Sequence, residues 1–266
     1  MTAESGNDQV RPVLLNAFEA ACLLRHYINE DAKEFMKSVE RGTLLNQIKS
    51  KFPYVTEVPA HSPSGGASAS IIHFQIHDEA FQGRGTRYPN RFLYAATLDN
   101  PDNANKKEVV VKFTRRYFPE LHTFCASQGR APQLLGYGTA PGGWLIVVME
   151  RIEHQDTNLQ SYVKKHLQKW SEDLRTLVSN FHNMGWVHGD LRDANMVVGN
   201  KDPSQVMLVD FDWGGKAGEV YYPTACVHKE LETMDASDLR ITKERDDLVL
   251  SRTLAKLEEQ TKTKAI

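Results

Sequence analysis

The chain is poor in cysteine and has no long apolar run. Its three cysteines, Cys22, Cys125 and Cys226, lack the paired spacing of a metal site or a disulfide framework, so we expect reduced packing residues. The longest uninterrupted apolar stretch, Trp144–Met149, is far shorter than the roughly 20 residues of a membrane-spanning helix. Residues 1–9 contain no basic-then-apolar signal pattern. We therefore expect no membrane partner, and a cytoplasmic or nuclear setting.

A strong charge of either sign is also missing. Lys and Arg number 32 against 34 Asp and Glu, which gives a net charge of -2. A chain with this balance has no overall attraction to a phosphate backbone, so we expect no nucleic-acid partner. The hydrophobic content of 41% is enough for a sizeable buried core. Composition therefore predicts a globular protein.

The N-terminal part differs from the rest of the chain. Apolar residues at helical spacing predict two amphipathic helices within residues 12–50, and we assign residues 1–52 to an N-terminal helical extension. Residues 53–69 are rich in Pro, Gly and Ser, which predicts a flexible linker.

Beyond residue 69 the pattern predicts antiparallel strands, then mainly helices. β-Branched and aromatic residues favour strands, Pro favours a helix start, and Gly favours a helix end. The predicted elements are strands at Ile71–Ile76, Arg91–Leu98, Glu108–Phe113 and Trp144–Met149, helices at 119–129, 174–185 and 243–259, and a hairpin of 196–198 with 206–209.

The densest chemistry lies between His188 and Asp212. The residues from His188 to Asn195 have the form H-x-D-x-x-x-x-N, and a short hairpin separates them from Asp210-Phe211-Asp212. Phosphoryl transfer from ATP needs a carboxylate that orients the attacking hydroxyl and oxygen ligands that hold Mg²⁺. We predict Asp190 for the first task and Asn195 and Asp210 for the second.

Two upstream segments complete the predicted site. Lys112 is the single charged residue of an apolar strand, and a buried lysine needs an ionic partner. We predict Glu120, on the first turn of the short helix, with His122 or a water as alternatives. The connection after Trp144–Met149 predicts a hinge in which the backbone of Glu150 and Ile152 holds adenine.

These residues resemble the protein kinase superfamily over about Ile71–Leu257. The likeness is closest to fungal kinase-like proteins, on the Val-Lys-Phe strand around Lys112, the His-Gly-Asp loop and Asp210-Phe211-Asp212-Trp213. The resemblance implies an α+β, two-lobed kinase-like fold: an antiparallel β lobe and hinge at 70–152, and a reduced helical lobe at 153–266. It also implies a Lys112–Glu120 ion pair, Asp190 as catalytic base, and a helix aspartate, Asp247, that braces the catalytic loop.

Departures from the family pattern qualify the prediction. Gly189 replaces the arginine of regulated kinases, so control by a phosphorylated loop loses its anchor. Asp212 stands where Asp-Phe-Gly has glycine, which favours a small-molecule acceptor. Gly83-Arg84-Gly85 is only a weak candidate for a phosphate loop. We expect a phosphotransferase that uses ATP and Mg²⁺ on an unidentified hydroxyl acceptor, protein or small molecule. The alternative is a pseudokinase that binds nucleotide or acts as a scaffold.

Overall fold

A computed structural model describes residues 55–62, 70–80, 92–99, 107–140, 143–156, 160–199, 201–223, 228–231 and 238–262. The predicted helical extension 1–52 and the Gly83-Arg84-Gly85 segment lie outside these ranges. The predicted domain boundaries therefore stay predictions.

The first half of the described chain forms an antiparallel sheet of six strands. Their order across the sheet is β1-β2-β3-β4-β6-β5. β-Branched residues such as Val109 and Val111, both fully buried on β4, pack these strands around an apolar cluster. The strands are β1 (Glu57–Pro59), β2 (Ile71–Ala80), β3 (Leu93–Leu98), β4 (Glu108–Thr114), β5 (Leu134–Ala140) and β6 (Trp144–Glu150).

One edge of this sheet corrects the linker prediction. β1 lies inside the predicted flexible segment 53–69, pairs with β2, and buries Val58 to 2% exposure. Gly136 and Gly138 of β5 make room for it, since a Cβ on either glycine would lie within 2.8 Å of a Val58 methyl. The local composition of 53–69 does not predict this contact, because Gly136 and Gly138 lie nearly 80 residues further along the chain.

Three helices surround the second apolar cluster: α1 (Pro119–Ser127), α2 (Gln160–Asn183) and α3 (Lys243–Lys262). Pro119 occupies the first turn of α1, and Gly129 and Gly185 follow α1 and α2 with φ of 68° and 79°. Left-handed backbone of this kind favours glycine and ends a helix. The helices predicted at 119–129 and 243–259 are confirmed, whereas α2 begins fourteen residues before the predicted start at Leu174.

Short strands flank the loops that carry the predicted site residues. β9 (Met196–Gly199) pairs with β7 (His154–Asp156) and β10 (Val206–Leu208), and β8 (Trp186–Val187) pairs with β11 (Gly215–Lys216). The predicted hairpin is thereby confirmed. The mixed α and β composition is confirmed as well, while the two-lobed layout stays a prediction. Within the described ranges, no helix has the length and apolar character needed to cross a membrane.

Candidate active site

The loop between β8 and β9 carries the predicted motif. Asp190 and Asn195 are both buried in it, at 6% and 2% exposure. The Asn195 Nδ2 atom donates a hydrogen bond of 3.1 Å to the main-chain carbonyl of Asp190. A 3-10 turn over Asp193–Asn195 closes the loop before β9 begins. The two predicted site residues are therefore held together by the loop itself.

The β9–β10 hairpin brings Asp210 to the same place. Leu208 pairs with Met196 in the hairpin, and the Val209 amide donates a 3.0 Å hydrogen bond to the Asn195 carbonyl. Asp210 follows immediately, with φ of 70° and ψ of 69°. This left-handed conformation costs a non-glycine residue roughly 1–2 kcal/mol. The sequence prediction that the hairpin returns Asp210 towards Asn195 agrees with this register.

Lys112 lies beside the carboxylates of Asp210 and Asp212. It is 7% exposed on β4, and its Nζ lies 2.6 Å from Asp210 Oδ1 and 2.6 Å from Asp212 Oδ1. Burial acts to lower the pKa of Lys112, but the two carboxylates outweigh it and the pKa is raised above its ordinary value. Lys112 therefore stays charged inside the site.

Glu120 is not the partner of Lys112, which corrects the predicted ion pair. It is exposed on the first turn of α1. Burial lowers the pKa of His61 and raises that of Tyr137, and in both cases the charge of Glu120 acts to raise the pKa. Its side chain thus acts near β5 and the segment after β1. The sequence prediction failed because an acid in a first turn is also favoured by the helix dipole, which says nothing about its tertiary partner.

Asp212 takes the place that the prediction gave to Glu120. Its Oδ1 pairs with Lys112, and its Oδ2 lies 2.9 Å from the hydroxyl of Thr114. Burial, and next the charge of Asp210, raise the pKa of Asp212 to about 6, although Lys112 and Thr114 oppose the shift. The signal in the sequence is the second acid of Asp-Phe-Asp, which the family resemblance relates only to the class of acceptor.

Arg192 is a site residue that the sequence analysis missed. Its Nη2 donates to Asp190 Oδ2 at 2.7 Å and its Nε donates to Asp190 Oδ1, which makes a bidentate pair. The hydrogen bonds to Asp190 are the largest cause that raises the pKa of Arg192. The available signal was a cation two residues after the candidate base, inside the motif.

Asp246 braces the loop that carries Asp190, which corrects the prediction of Asp247 by one residue. The Asp246 carboxylate accepts the amide of His188 at 2.7 Å and that of Gly189 at 2.9 Å, and it is 1% exposed. The side chain of Asp247 is 65% exposed. The two acids are adjacent at the start of α3, and only packing decides which of them faces the loop.

Tyr222 fixes the other side of the same turn. Its hydroxyl donates a 2.6 Å hydrogen bond to the carbonyl of Gly189, whose φ is 82°. The guanidinium of Arg245 lies 4.5 Å from the centre of the Tyr222 ring and also donates to the carbonyls of Leu231 and Asp238. The chain after Asp210 is thus attached to the loop that carries Asp190 through side-chain hydrogen bonds.

Phe211 lies between two histidine rings. Its centroid is 4.6 Å from that of His122, nearly parallel, and 5.1 Å from that of His188. Burial lowers the pKa of His122 to about 4, so the ring is neutral. Its Nε2 donates to the Pro132 carbonyl, and its Nδ1 accepts from the Tyr117 hydroxyl. His122 therefore holds Phe211 and does not complete the Lys112 site, an alternative that the sequence left open.

The charges at the site leave one negative charge in excess. Asp190, Asp210 and Asp212 face two cations, Lys112 and Arg192. Among the described residues, no group of three or more His, Cys, Asp or Glu side chains has the arrangement of a metal site. Mg²⁺ is commonly held by one or two carboxylates together with substrate phosphates. The oxygen donors of Asp210 and Asn195 and the excess negative charge fit such a shared site.

The predicted hinge residues lie at the end of β6 and just beyond it. Glu150 ends β6, where it pairs with Val109, and its amide donates to the Gln133 carbonyl at 2.9 Å. Ile152 lies two residues on and is half-buried. Their role in holding adenine stays a prediction.

A cavity of about 450 Å³ lies apart from these residues, between α2 and α3. It is lined by Arg175, Ser179, His182, Asn183, Lys243, Asp247 and Leu250. Its link to the site is His182, whose Nε2 lies 3.3 Å from Asp246 Oδ2.

No protein-family model matches the chain, and no curated protein matches it. Among solved structures, the chain is similar to the PK-1 kinase of the Cydia pomonella granulovirus. The likeness has 12% identity and a TM-score of 0.49, and it covers 69% of this chain and 67% of that chain. A likeness at this level assigns neither activity nor substrate to this chain.

Proposed function

We propose that the chain is a phosphotransferase of kinase-like fold that moves the γ-phosphate of Mg-ATP to a hydroxyl acceptor. The observation that carries the proposal is the meeting of three distant segments: Lys112 on β4 is paired with Asp210, and Asp210 follows the hairpin that starts at the Asp190–Asn195 loop. A packing role alone does not require a buried lysine and three carboxylates in one place.

Each side chain has a distinct task in this proposal. Lys112 stays charged and binds the α- and β-phosphates, as the buried lysine of such sites does. Asp190 orients the acceptor hydroxyl and takes its proton, while Arg192 holds the Asp190 carboxylate in one orientation. Asn195 and Asp210 are the candidate ligands of Mg²⁺, which neutralises phosphate charge when it is bound.

The surroundings of Asp190 bear on regulation and leave the class of acceptor open. Gly189 replaces the arginine that anchors a phosphorylated loop in regulated kinases, and Tyr222 and Asp246 hold this turn directly. We therefore propose a site that is assembled without phosphorylation. A small-molecule or a protein hydroxyl fits the same catalytic aspartate.

The first experiment is thermal unfolding of the wild type with and without Mg-ATP, together with the release of ADP when water is the only acceptor. Mg-ATP at 100 times its dissociation constant should add about 2.7 kcal/mol of stability. No shift and no turnover would reject the proposal. A shift without turnover at any Mg²⁺ concentration would favour the pseudokinase alternative.

The second experiment compares Asp190→Asn with Asp202→Asn. Asp190→Asn should lower turnover by about 10²–10⁴-fold because the base is lost, while the stabilisation by Mg-ATP is kept. Asp202 is an exposed acid of the β9–β10 turn, and its substitution should leave turnover unchanged. Equal turnover in the two variants would exclude Asp190 as the catalytic residue.

A further inference from the structure

Asp212 is attached to β4 at two points. One carboxylate oxygen pairs with Lys112 Nζ at 2.6 Å, and the other lies 2.9 Å from Thr114 Oγ1. Lys112 and Thr114 are two residues apart on one strand, so their side chains point to the same face of the sheet. The carbonyl of Arg116 lies 3.0 Å from the Thr114 hydroxyl and competes for its single proton. The lysine contact is thus the stronger of the two attachments, and the threonine contact orients the carboxylate.

We propose that Asp212 is the positioning residue for Lys112, in the role that an acid on a neighbouring helix would otherwise have. The proposal rests on the proposed function, because it concerns how Lys112 is held for nucleotide. Lys112 has two carboxylate partners, and one of them, Asp210, is the candidate Mg²⁺ ligand. When a metal shares the charge of Asp210, Asp212 is the remaining partner of Lys112.

The Lys112–Asp212 ion pair does not depend on the position of helix α1. Asp210 and Asp212 belong to one short segment around a 3-10 turn, so the candidate metal ligand and the lysine partner are positioned together. Helix α1 contributes a neutral ring, His122, which stacks on Phe211, and its acid Glu120 acts on His61 and Tyr137. The lysine is therefore positioned without a charge from α1, and a shift of α1 is not needed to form the ion pair.

The test is a matched pair of substitutions that remove one carboxylate each, Asp212→Asn and Glu120→Gln. We expect Asp212→Asn to weaken Mg-ATP binding by about 10- to 100-fold, the usual effect of losing a charge-assisted hydrogen bond. Glu120→Gln should stay within about two-fold of the wild type, because exposed charges contribute little. Dissociation constants for Mg-ATP, KM and kcat are measured for each variant.

Three further measurements separate a positioning role from a metal-binding or merely structural one. A Mg²⁺ titration should leave the defect of Asp212→Asn in place, because the lost contact is to Lys112. Thr114→Val should weaken Mg-ATP binding in the same direction but less, and Thr114→Ser should restore it. Unfolding of the nucleotide-free Asp212→Asn variant should change little, since Lys112 keeps Asp210 and the repulsion between two neighbouring carboxylates is removed.

Several results would overturn the inference. A Glu120→Gln defect as large as that of Asp212→Asn would make the helix acid the partner of Lys112. Rescue of Asp212→Asn by excess Mg²⁺ would make Asp212 a metal ligand. If the wild type binds Mg-ATP and Asp212→Asn binds it equally well, this inference alone fails. If the wild type does not respond to Mg-ATP at all, the proposed function fails and takes the inference with it.

Discussion

Substitution of Asp246 by Asn tests how the loop that carries Asp190 is held, and it does not depend on the proposed activity. Both carboxylate oxygens of Asp246 accept loop amides, from His188 at 2.7 Å and from Gly189 at 2.9 Å, and the side chain is buried. An asparagine keeps one carbonyl oxygen for one amide. Its NH₂ group faces the other amide, which leaves a buried N–H without an acceptor.

The expected cost follows from these two contacts. One charge-assisted hydrogen bond is lost, the other becomes neutral, and a buried donor is left unsatisfied, for a total of about 3–5 kcal/mol. For a chain of this size that corresponds to a fall in Tm of about 6–20 °C. Urea unfolding and calorimetry measure both quantities.

The control is Asp247→Asn, one residue further along α3. The change in chemistry is the same, but the side chain is 65% exposed, so the expected change is within about 0.5 kcal/mol. In the wild type, the amides of His188 and Gly189 should also exchange slowly with solvent. An equal loss of stability in the two variants, or rapid exchange of both amides in the wild type, would refute the bracing role of Asp246.

Two further predictions concern the surroundings of the loop. Tyr222→Phe removes the 2.6 Å hydrogen bond to the Gly189 carbonyl. The substitution should lower the free energy of unfolding by about 1 kcal/mol and lower kcat several-fold at unchanged Mg-ATP affinity. An unchanged kcat, or a change confined to affinity, would contradict this prediction. Burial lowers the pKa of His122 in the folded state to about 4. As the pH falls below about 6.5, the unfolded chain therefore binds the proton first. The free energy of unfolding decreases down to about pH 4, by up to about 3 kcal/mol. Urea unfolding from pH 7 to 4.5 should show a shallower loss in His122→Gln, and an unchanged slope would exclude His122 as a source.

The elements predicted from the sequence were those whose signals are local. Strands β2, β3, β4 and β6, the start of α1 and the β9–β10 hairpin follow from β-branched and aromatic residues, Pro and turn residues, and the structure agrees with them. β1 was missed because its stability depends on Val58 packing over Gly136 and Gly138, nearly 80 residues away. A strand of three residues with Pro at its end carries no local signal of that contact.

The candidate site divides in the same way. The sequence by itself determined that Asp190, Asn195 and Asp210 belong to one motif, because a fixed spacing and a short hairpin are local properties of the chain. Only the tertiary structure decided which charges meet: Lys112 pairs with Asp210 and Asp212, Arg192 pairs with Asp190, and Asp246 braces the loop. Ion-pair partners depend on how helices and strands are rotated against one another in the packed core, and neighbouring acids are equivalent until that packing turns one inward and the other towards water.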